Sequence, residues 1–408
     1  MTVDDVIPAW PFDRATALTP PGEYAALRRD GCPMARVALW SGETAWLATS
    51  HADVLGVLGD PRFSSDPHRP GVMPSPSAAA LQFWKVKGTF DKTDPPEHDH
   101  ERRMVQTEFL VKRVRSHRPF LERTTDDLLD ALAAAPQPID LVTTLGDVVP
   151  ALMTCELMGL PAEDGALLRA HLATFMSQAS DPEQSAGAMT ALLDYFDAVI
   201  ADREREREKR DDLASRLVHG QLLPGHLSRE GTRRMLLDLL IGGLDTTSSM
   251  IALGTVLLLE NPDQVALLAD DPGLWPRAVE ELLRYLTIAQ FIGSRTALDD
   301  VTVNETAMRA GDGVFASLLA ANWDPAVFPD PEVLDVTREP GRHVAFGYGV
   351  HQCLGQALAR LELEVVLSRL FARFPSLRLV TRPADLRFNR TTIHTALEVL
   401  VDVHGEGR

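Results

Sequence analysis

An α+β fold, mainly helical, is what this 408-residue sequence predicts. Three observations carry the prediction. From about Pro96 to Leu283, apolar residues recur at helical spacing. Short runs rich in β-branched residues, bounded by Gly, Asn and Asp, sit towards both ends of the chain. No internal repeat or low-complexity linker separates these regions. Strands from both ends share a domain only when the chain folds as one unit, so the expectation is a single domain over residues 1–408.

Taken in order, residues 35–49 predict a hairpin that turns near Ser41-Gly42. A short helix follows over residues 52–58, ended by Gly59-Asp60-Pro61. Residues 65–80 hold Pro67, Pro70, Gly71, Pro74 and Pro76, which predicts a long irregular loop of the kind that often binds ligands. Within the helical middle, residues 202–210 alternate charge at nearly every position and read as a solvated helix end with local ion pairs. The apolar run 235–259 is long enough to cross a membrane. It carries Asp238, Asp245, Thr246, Thr247, Ser248 and Ser249, a load that suits the central helix of a soluble protein better. After Ile292 come short strands at 301–303, 307–309 and 314–316, then 377–380 and 396–403.

Composition narrows the function classes. A hydrophobic content of 45% suffices for a large core, and a formal charge of −18 argues against binding nucleic acid or an anionic membrane. Cys32, Cys155 and Cys353 are odd in number and widely spaced, so they predict neither a disulfide framework nor a zinc ribbon. The acidic, polar first residues are unlike a signal peptide, and a cytoplasmic location is expected.

The most informative segment is Phe346-Gly-Tyr-Gly-Val-His351-Gln-Cys353-Leu-Gly355. It sets one thiol on a glycine-rich loop just before an amphipathic helix with Leu354, Leu358, Leu361 and Val365 on one face. The unpaired N–H groups of a helix start, and its dipole, favour thiolate over thiol. Haem iron accepts a single protein thiolate. Asp94-Pro-Pro-Glu-His98-Asp-His-Glu-Arg102-Arg103 opens a helix, with His98 and Arg102 on one face and His100 and Arg103 elsewhere. Gly242-Gly243-Leu244-Asp245-Thr246-Thr247 interrupts an apolar helix, although each glycine costs about 1 kcal/mol there. Local rules broken in this way mark functional sites. Glu281-Leu-Leu-Arg284 shares a helix with the apolar face Val279, Leu282, Leu283 and Leu286, and its charges can pair at i, i+3.

Together these segments resemble the cytochrome P-450 family over roughly residues 45–400. The cysteine loop fills every fixed position of that family's haem-ligand signature. The resemblance implies that family's fold: a long central helix over a haem, with small β-rich regions. It implies haem b (iron protoporphyrin IX) with Cys353 as the axial ligand to iron. Its propionates would meet His98, Arg102, Arg295 and His343. Asp245 and Thr246 would be catalytic, Thr246 beside the oxygen position and Asp245 relaying protons. Glu281, Arg284 and Arg338 would form a buried scaffold. The substrate pocket would involve residues 73–84, Phe175 and Met176, residues 239–243, 289–292, and Ile393-His394.

One departure is Ala321-Asn322-Trp323-Asp324-Pro325, where the family often has Arg in place of Trp323. The activity so implied is that of a soluble bacterial monooxygenase. It would oxidise a small organic molecule of secondary metabolism with O2. No dinucleotide-binding glycine motif is present, so electrons would come from a ferredoxin and a ferredoxin reductase. Two alternatives stay open from sequence: a nitric-oxide-reducing or peroxide-using haem-thiolate enzyme, and a gas-binding haem protein without enzymatic activity.

Overall fold

The computed structural model describes residues 7–405, apart from 15, 86–87, 178–179, 207–208 and 391–392. The chain forms two compact units. The first holds Met1–Asp99, Glu281–Leu334 and Arg338–Cys353; the second holds His100–Glu280, Asp335–Thr337 and Leu354–Arg408.

The first unit is built on a five-stranded sheet. Its strands lie in the order Met34–Ala38, Thr44–Ala48, Gly313–Ala316, Ser294–Ala297, Phe63–Ser64. Only the pairing of Thr44–Ala48 with Gly313–Ala316 is parallel. The predicted hairpin is present, with Gly42 at φ 85° in its turn. Helix His51–Gly59 begins at Ser50, whose hydroxyl accepts from the Asp53 N–H at 3.1 Å. Its Val54, Val57 and Leu58 are buried against Phe63, Val301, Val303 and Val314. Each such side chain contributes roughly 1.5–3 kcal/mol by leaving water.

The proline-rich loop is pinned to this sheet. Ser294 Oγ donates to Pro74 O at 2.6 Å, Thr296 Oγ1 to Val72 O at 3.1 Å, and Val72 N to Gly311 O at 2.9 Å. A Cβ at Gly313 would come within 2.4 Å of Val72 O, so the strand needs glycine there. The loop is shorter than expected, because helix Ala78–Lys85 takes over its last residues. Strands Val301–Val303 and Thr306–Met308 form a hairpin whose turn holds Asn304 at φ 49°.

The second unit is helical around Arg229–Leu259, 31 residues and about 46 Å long. Ser228 caps it by accepting from Gly231 N at 3.0 Å. It is long and apolar enough to cross a membrane, but 67% of its most apolar window is buried inside the protein. The helices Val148–Met158, Pro182–Arg205 and Gln356–Arg373 pack against it, as does strand His394–Ala396.

Three sequence expectations need correction here. The helical middle contains one strand, Ile139–Asp140, which pairs with Leu400–Asp402. Residues 396–403 are not one strand: His394–Ala396 and Leu400–Asp402 belong to different sheets, and residues 397–399 turn between them. The central helix is not interrupted at Gly242-Gly243; it continues through Thr247 without a break. Thr246 Oγ1 donates to Gly242 O at 2.8 Å, so the hydroxyl is satisfied inside the helical ladder. In the charged segment, Arg205 pairs with Asp202 and Arg210 with Glu206, as expected. Arg203 differs: it is buried, and donates to Gly159 O at 2.5 Å. Arg207 and Glu208 lie outside the described residues.

Candidate active site

In the first unit, the cysteine loop is held by its own backbone. Cys353 N donates to Phe346 O at 2.8 Å, Gly347 N to Val344 O at 2.8 Å, and Gln352 N to Gly349 O at 3.0 Å. Gly347 and Gly349 adopt φ of 72° and 76°. A Cβ at Gly349 would meet Leu58 O at 2.4 Å, whereas one at Gly347 would meet nothing within 4 Å. The first glycine therefore answers mainly to its left-handed backbone and the second to close packing as well. Cys353 is half-buried, and the helix Gln356–Arg373 starts three residues later with no side-chain cap. Cys155 is a contrast: burial pushes its thiol up to about 11, as for an inert core cysteine.

His98, His351, Arg295 and His343 supply nitrogen donors in the same unit, and Arg102 lies in the second. His98 is 1% exposed; its Nδ1 bonds Asp99 Oδ1 at 2.7 Å, while its Nε2 is buried without a hydrogen-bond partner. The His351 ring lies 4.4 Å from the His98 ring, and His351 Nε2 bonds Ser65 Oγ at 2.8 Å. Arg295 is buried and donates from Nη1 to Ser294 O at 2.8 Å. Burial lowers its guanidinium to about 10, partly offset by the attraction of Asp94. Asp94 also accepts from Ser64 Oγ at 2.5 Å and Ser65 N at 3.1 Å. Arg102 is half-buried one turn along the helix Glu97–Val105 from His98, and Arg103 is exposed. His343 Nδ1 accepts from Ala345 N at 3.3 Å on the run into the loop.

The scaffold beneath this loop is fully paired. Arg284 grips Glu281 in bidentate fashion, Nε at 2.7 Å and Nη2 at 2.8 Å, with both side chains 2% exposed. Arg284 Nη1 donates to Asn322 O and Pro331 O, each at 3.0 Å. Arg338 Nε reaches Glu281 Oε1 at 3.1 Å, and its other nitrogens donate to the carbonyls of Pro329, Asp330 and Val333. The buried Asn322 side chain links this network to the loop: Oδ1 accepts from Val344 N at 2.7 Å, and Nδ2 donates to Thr287 Oγ1 at 2.8 Å. Trp323 now has a structural account. Its Nε1 donates to Tyr285 O at 2.8 Å, and its ring packs 4.8 Å from that of Tyr285. Besides Arg284, Arg28 brings a cation to this segment, donating to the carbonyls of Thr49, Ala320 and Trp323.

In the second unit, Asp245 and Thr246 sit midway along the central helix. The Asp245 carboxylate pairs with Arg169, which also donates to Asp147 Oδ1 at 2.8 Å. Burial pushes the Asp245 carboxyl above its usual range, Arg169 pulls it down, and Asp147 pushes it up again. Ser249 Oγ donates to Asp245 O at 2.6 Å and bonds Thr395 Oγ1 at 2.8 Å. Two residues on from Asp245, Thr247 meets Glu362 of the helix Gln356–Arg373, and burial pushes that carboxyl up to about 8. Sequence reasoning missed Asp147, Arg169, Glu362, the role of Asn322 and the placement of His351. Asn322 and His351 could have been found from their places in the segment 321–325 and the loop signature; the others carry no local motif.

These residues fit a haem. The buried His98 Nε2 has no hydrogen-bond partner and, with the His351 ring 4.4 Å away, suits an anionic ligand. A buried arginine and a second imidazole in the same unit suit the same anions. The thiol stands on a loop with open space at Gly347 and Gly355.

Known proteins agree with this geometry. Residues 274–388 match the family described as Cytochrome P450. "Cytochrome P450-SU2" from Streptomyces griseolus is 42% identical across 93% of this chain and 91% of its own length. "Pentalenic acid synthase" from Streptomyces avermitilis is 40% identical, covering 92% of each. The crystal structure of GfsF superposes with a TM-score of 0.90 at 38% identity, over 97% of this chain and 99% of that one. Kinship of this extent, 42% identity across 93% of the chain, means that the chain belongs to the cytochrome P450 family and is a monooxygenase.

Proposed function

We propose that Cys353 is the axial ligand of a haem b whose propionates are held by His98, Arg102, Arg295 and His343, with His351 beside them. We further propose that the chain works as one cytoplasmic domain, 1–408. It oxidises a small organic molecule of bacterial secondary metabolism with O2, on electrons from a ferredoxin and its reductase. The observation that carries this reading is the cysteine loop beside the unpartnered, buried Nε2 of His98.

When bound, a thiolate-ligated haem supplies oxygen activation and attack on a C–H bond or π-system. The protein's own residues hold, orient and move protons. The helix start after Cys353 presents unpaired N–H groups that favour the thiolate. With its Nδ1–H spent on Asp99, His98 donates from Nε2 only as the imidazolium, which carries both N–H groups and the charge that an anionic propionate pairs with. Thr246 has committed its proton to Gly242 O, so its oxygen is left to accept a hydrogen bond from water. It thereby positions that water. Asp245, raised by burial yet held by a cation, can carry a proton and return to the anion. Residues 73–84, 239–243 and 289–292, with Phe175, Met176 and Ile393-His394, are the proposed substrate-facing segments; the Phe83 side chain lies outside the described residues.

The test is spectroscopic. The reduced carbon-monoxide complex is expected to show the red-shifted Soret band of thiolate ligation, and Cys353→Ala to lose it. A Cys353→Ala protein that keeps the band refutes the ligand assignment.

A further inference from the structure

Three elements of the second unit meet at one guanidinium. Arg169, from the helix Asp164–Met176, pairs through Nη1 with Asp245 on the central helix and through Nη2 with Asp147 at 2.8 Å. Asp147 is the residue before the helix Val148–Met158, and its N–H closes the preceding turn on Val142 O at 2.8 Å. Ser248 Oγ, from the central helix, donates to the same Asp147 Oδ1 at 2.6 Å. The approach is close: a Cβ at Gly146 would already stand 3.2 Å from Ser248 Oγ. The side chains of Arg169 and Asp147 are 17% exposed and that of Asp245 is 15%. One cation therefore serves two carboxylates away from bulk water.

This sharing has a consequence for a proton carrier. When Asp245 takes a proton, it stops being a counter-ion. If Arg169 had no other partner, each protonation would strand a largely buried cation, and the pair would resist opening. Asp147 removes that obstacle. It is fixed by its place before a helix and by Ser248, so Arg169 stays paired whatever the state of Asp245. We propose that Asp147 is a positioning residue for proton delivery: anchored by Ser248, it keeps Arg169 paired while Asp245 gains and loses its proton. The inference rests on the relay role proposed above for Asp245.

The surroundings permit a clean test. Besides Arg169 and Asp147, strand His394–Ala396 brings the neutral Thr395 to Ser249, while His394 stacks on Phe388. The helix Gln356–Arg373 brings Glu362, which meets Thr247. The helix Pro182–Arg205 brings Asp197, already paired with Arg229 and Arg233, roughly four and three turns before Asp245.

The experiment uses the full-length haem-loaded protein. Infrared difference spectra across a pH titration follow the protonated-carboxyl band of Asp245, assigned by its loss in Asp245→Asn. Removing the second carboxylate gives Arg169 wholly to Asp245. Asp147→Asn should therefore move the midpoint down by about one pH unit. Ser248→Ala should move it the same way by less, and Arg169→Gln should move it up. The solvent isotope effect on turnover should rise in Asp147→Asn while substrate affinity is unchanged. An unmoved midpoint in Asp147→Asn overturns the proposal; should that variant not fold, an unmoved midpoint in Ser248→Ala does so. If Asp245→Asn itself leaves the isotope effect and coupling as in the parent protein, the relay reading fails and takes this inference with it. If Asp245→Asn changes both while Asp147→Asn and Ser248→Ala change neither, only the role of Asp147 is lost.

Discussion

A hydroxyl can donate one hydrogen bond, and Thr246 has already placed its own on Gly242 O at 2.8 Å. In the proposed relay it therefore serves as an acceptor that fixes a water. Thr246→Ala should keep haem, substrate binding and reductant consumption, but product formed per reductant should fall by on the order of tenfold or more, with peroxide released instead. Simultaneous measurement of product, peroxide and reductant checks this; full coupling in Thr246→Ala would remove Thr246 from the mechanism unless the substrate supplies a hydroxyl of its own. The nitrogen donors make a second residue-level prediction. His98 keeps a buried nitrogen in reserve, and Arg102 lies one turn along its helix, whereas Arg103 is exposed. Arg102→Ala should release haem to apomyoglobin on the order of ten- to a hundredfold faster than Arg103→Ala, on the scale of one charge-assisted hydrogen bond of about 1.5–3 kcal/mol. Equal release rates would argue that the shared helix face has no role.

At the scale of elements, Glu281 ties a helix to the loop that carries Cys353. It satisfies Arg284 and Arg338, and Arg284 in turn holds the Asn322 carbonyl while the Asn322 side chain holds Val344. Glu281→Ala would leave buried guanidinium charge unpaired, a loss of about 3–5 kcal/mol. Little haem-loaded protein is expected, measured as haem absorbance per protein after purification; normal haem content with slow turnover would show that Glu281 acts on chemistry instead. The Glu281–Arg284 pair was legible in the sequence because three-residue spacing on a helix already puts the partners together. The central helix and the first hairpin were legible for the same reason, since apolar period and turn chemistry are local signals. The split of residues 396–403 into two strands was not, because its cause is pairing with strands at 388–390 and 139–140. Asp147 and Arg169 were equally hidden: their contacts with each other and with Asp245 span 22 and 76 positions. No periodicity brings such residues together; only the packing of helices does.

For the whole molecule, a marked pH dependence of stability is expected from Glu362. It is 3% exposed on the helix Gln356–Arg373, packed against the central helix, and its carboxyl accepts from Thr247. Burial raises it from an ordinary 4.5 to about 8. The folded chain therefore holds this proton up to about pH 8, whereas the unfolded chain releases it near 4.5. Between those values folding takes up a proton, so the stability linked to Glu362 is full below pH 4.5 and declines as pH rises towards 8. Above about pH 8 the folded state must carry a buried carboxylate, and the loss levels off. Glu362→Gln keeps an oxygen for the Thr247 hydroxyl and has no charge to bury. The variant should match the parent protein near pH 4.5 and exceed it increasingly up to pH 8, by on the order of 2–5 kcal/mol. Asp245 moves in the same direction, but Arg169 offsets part of its rise, so its contribution is smaller. Denaturant unfolding at pH 5, 6, 7 and 8 checks the shape as well as the size. Parallel curves for Glu362→Gln and the parent would mean that Glu362 is ionised in the folded protein throughout, and that its packing against the central helix tolerates a carboxylate.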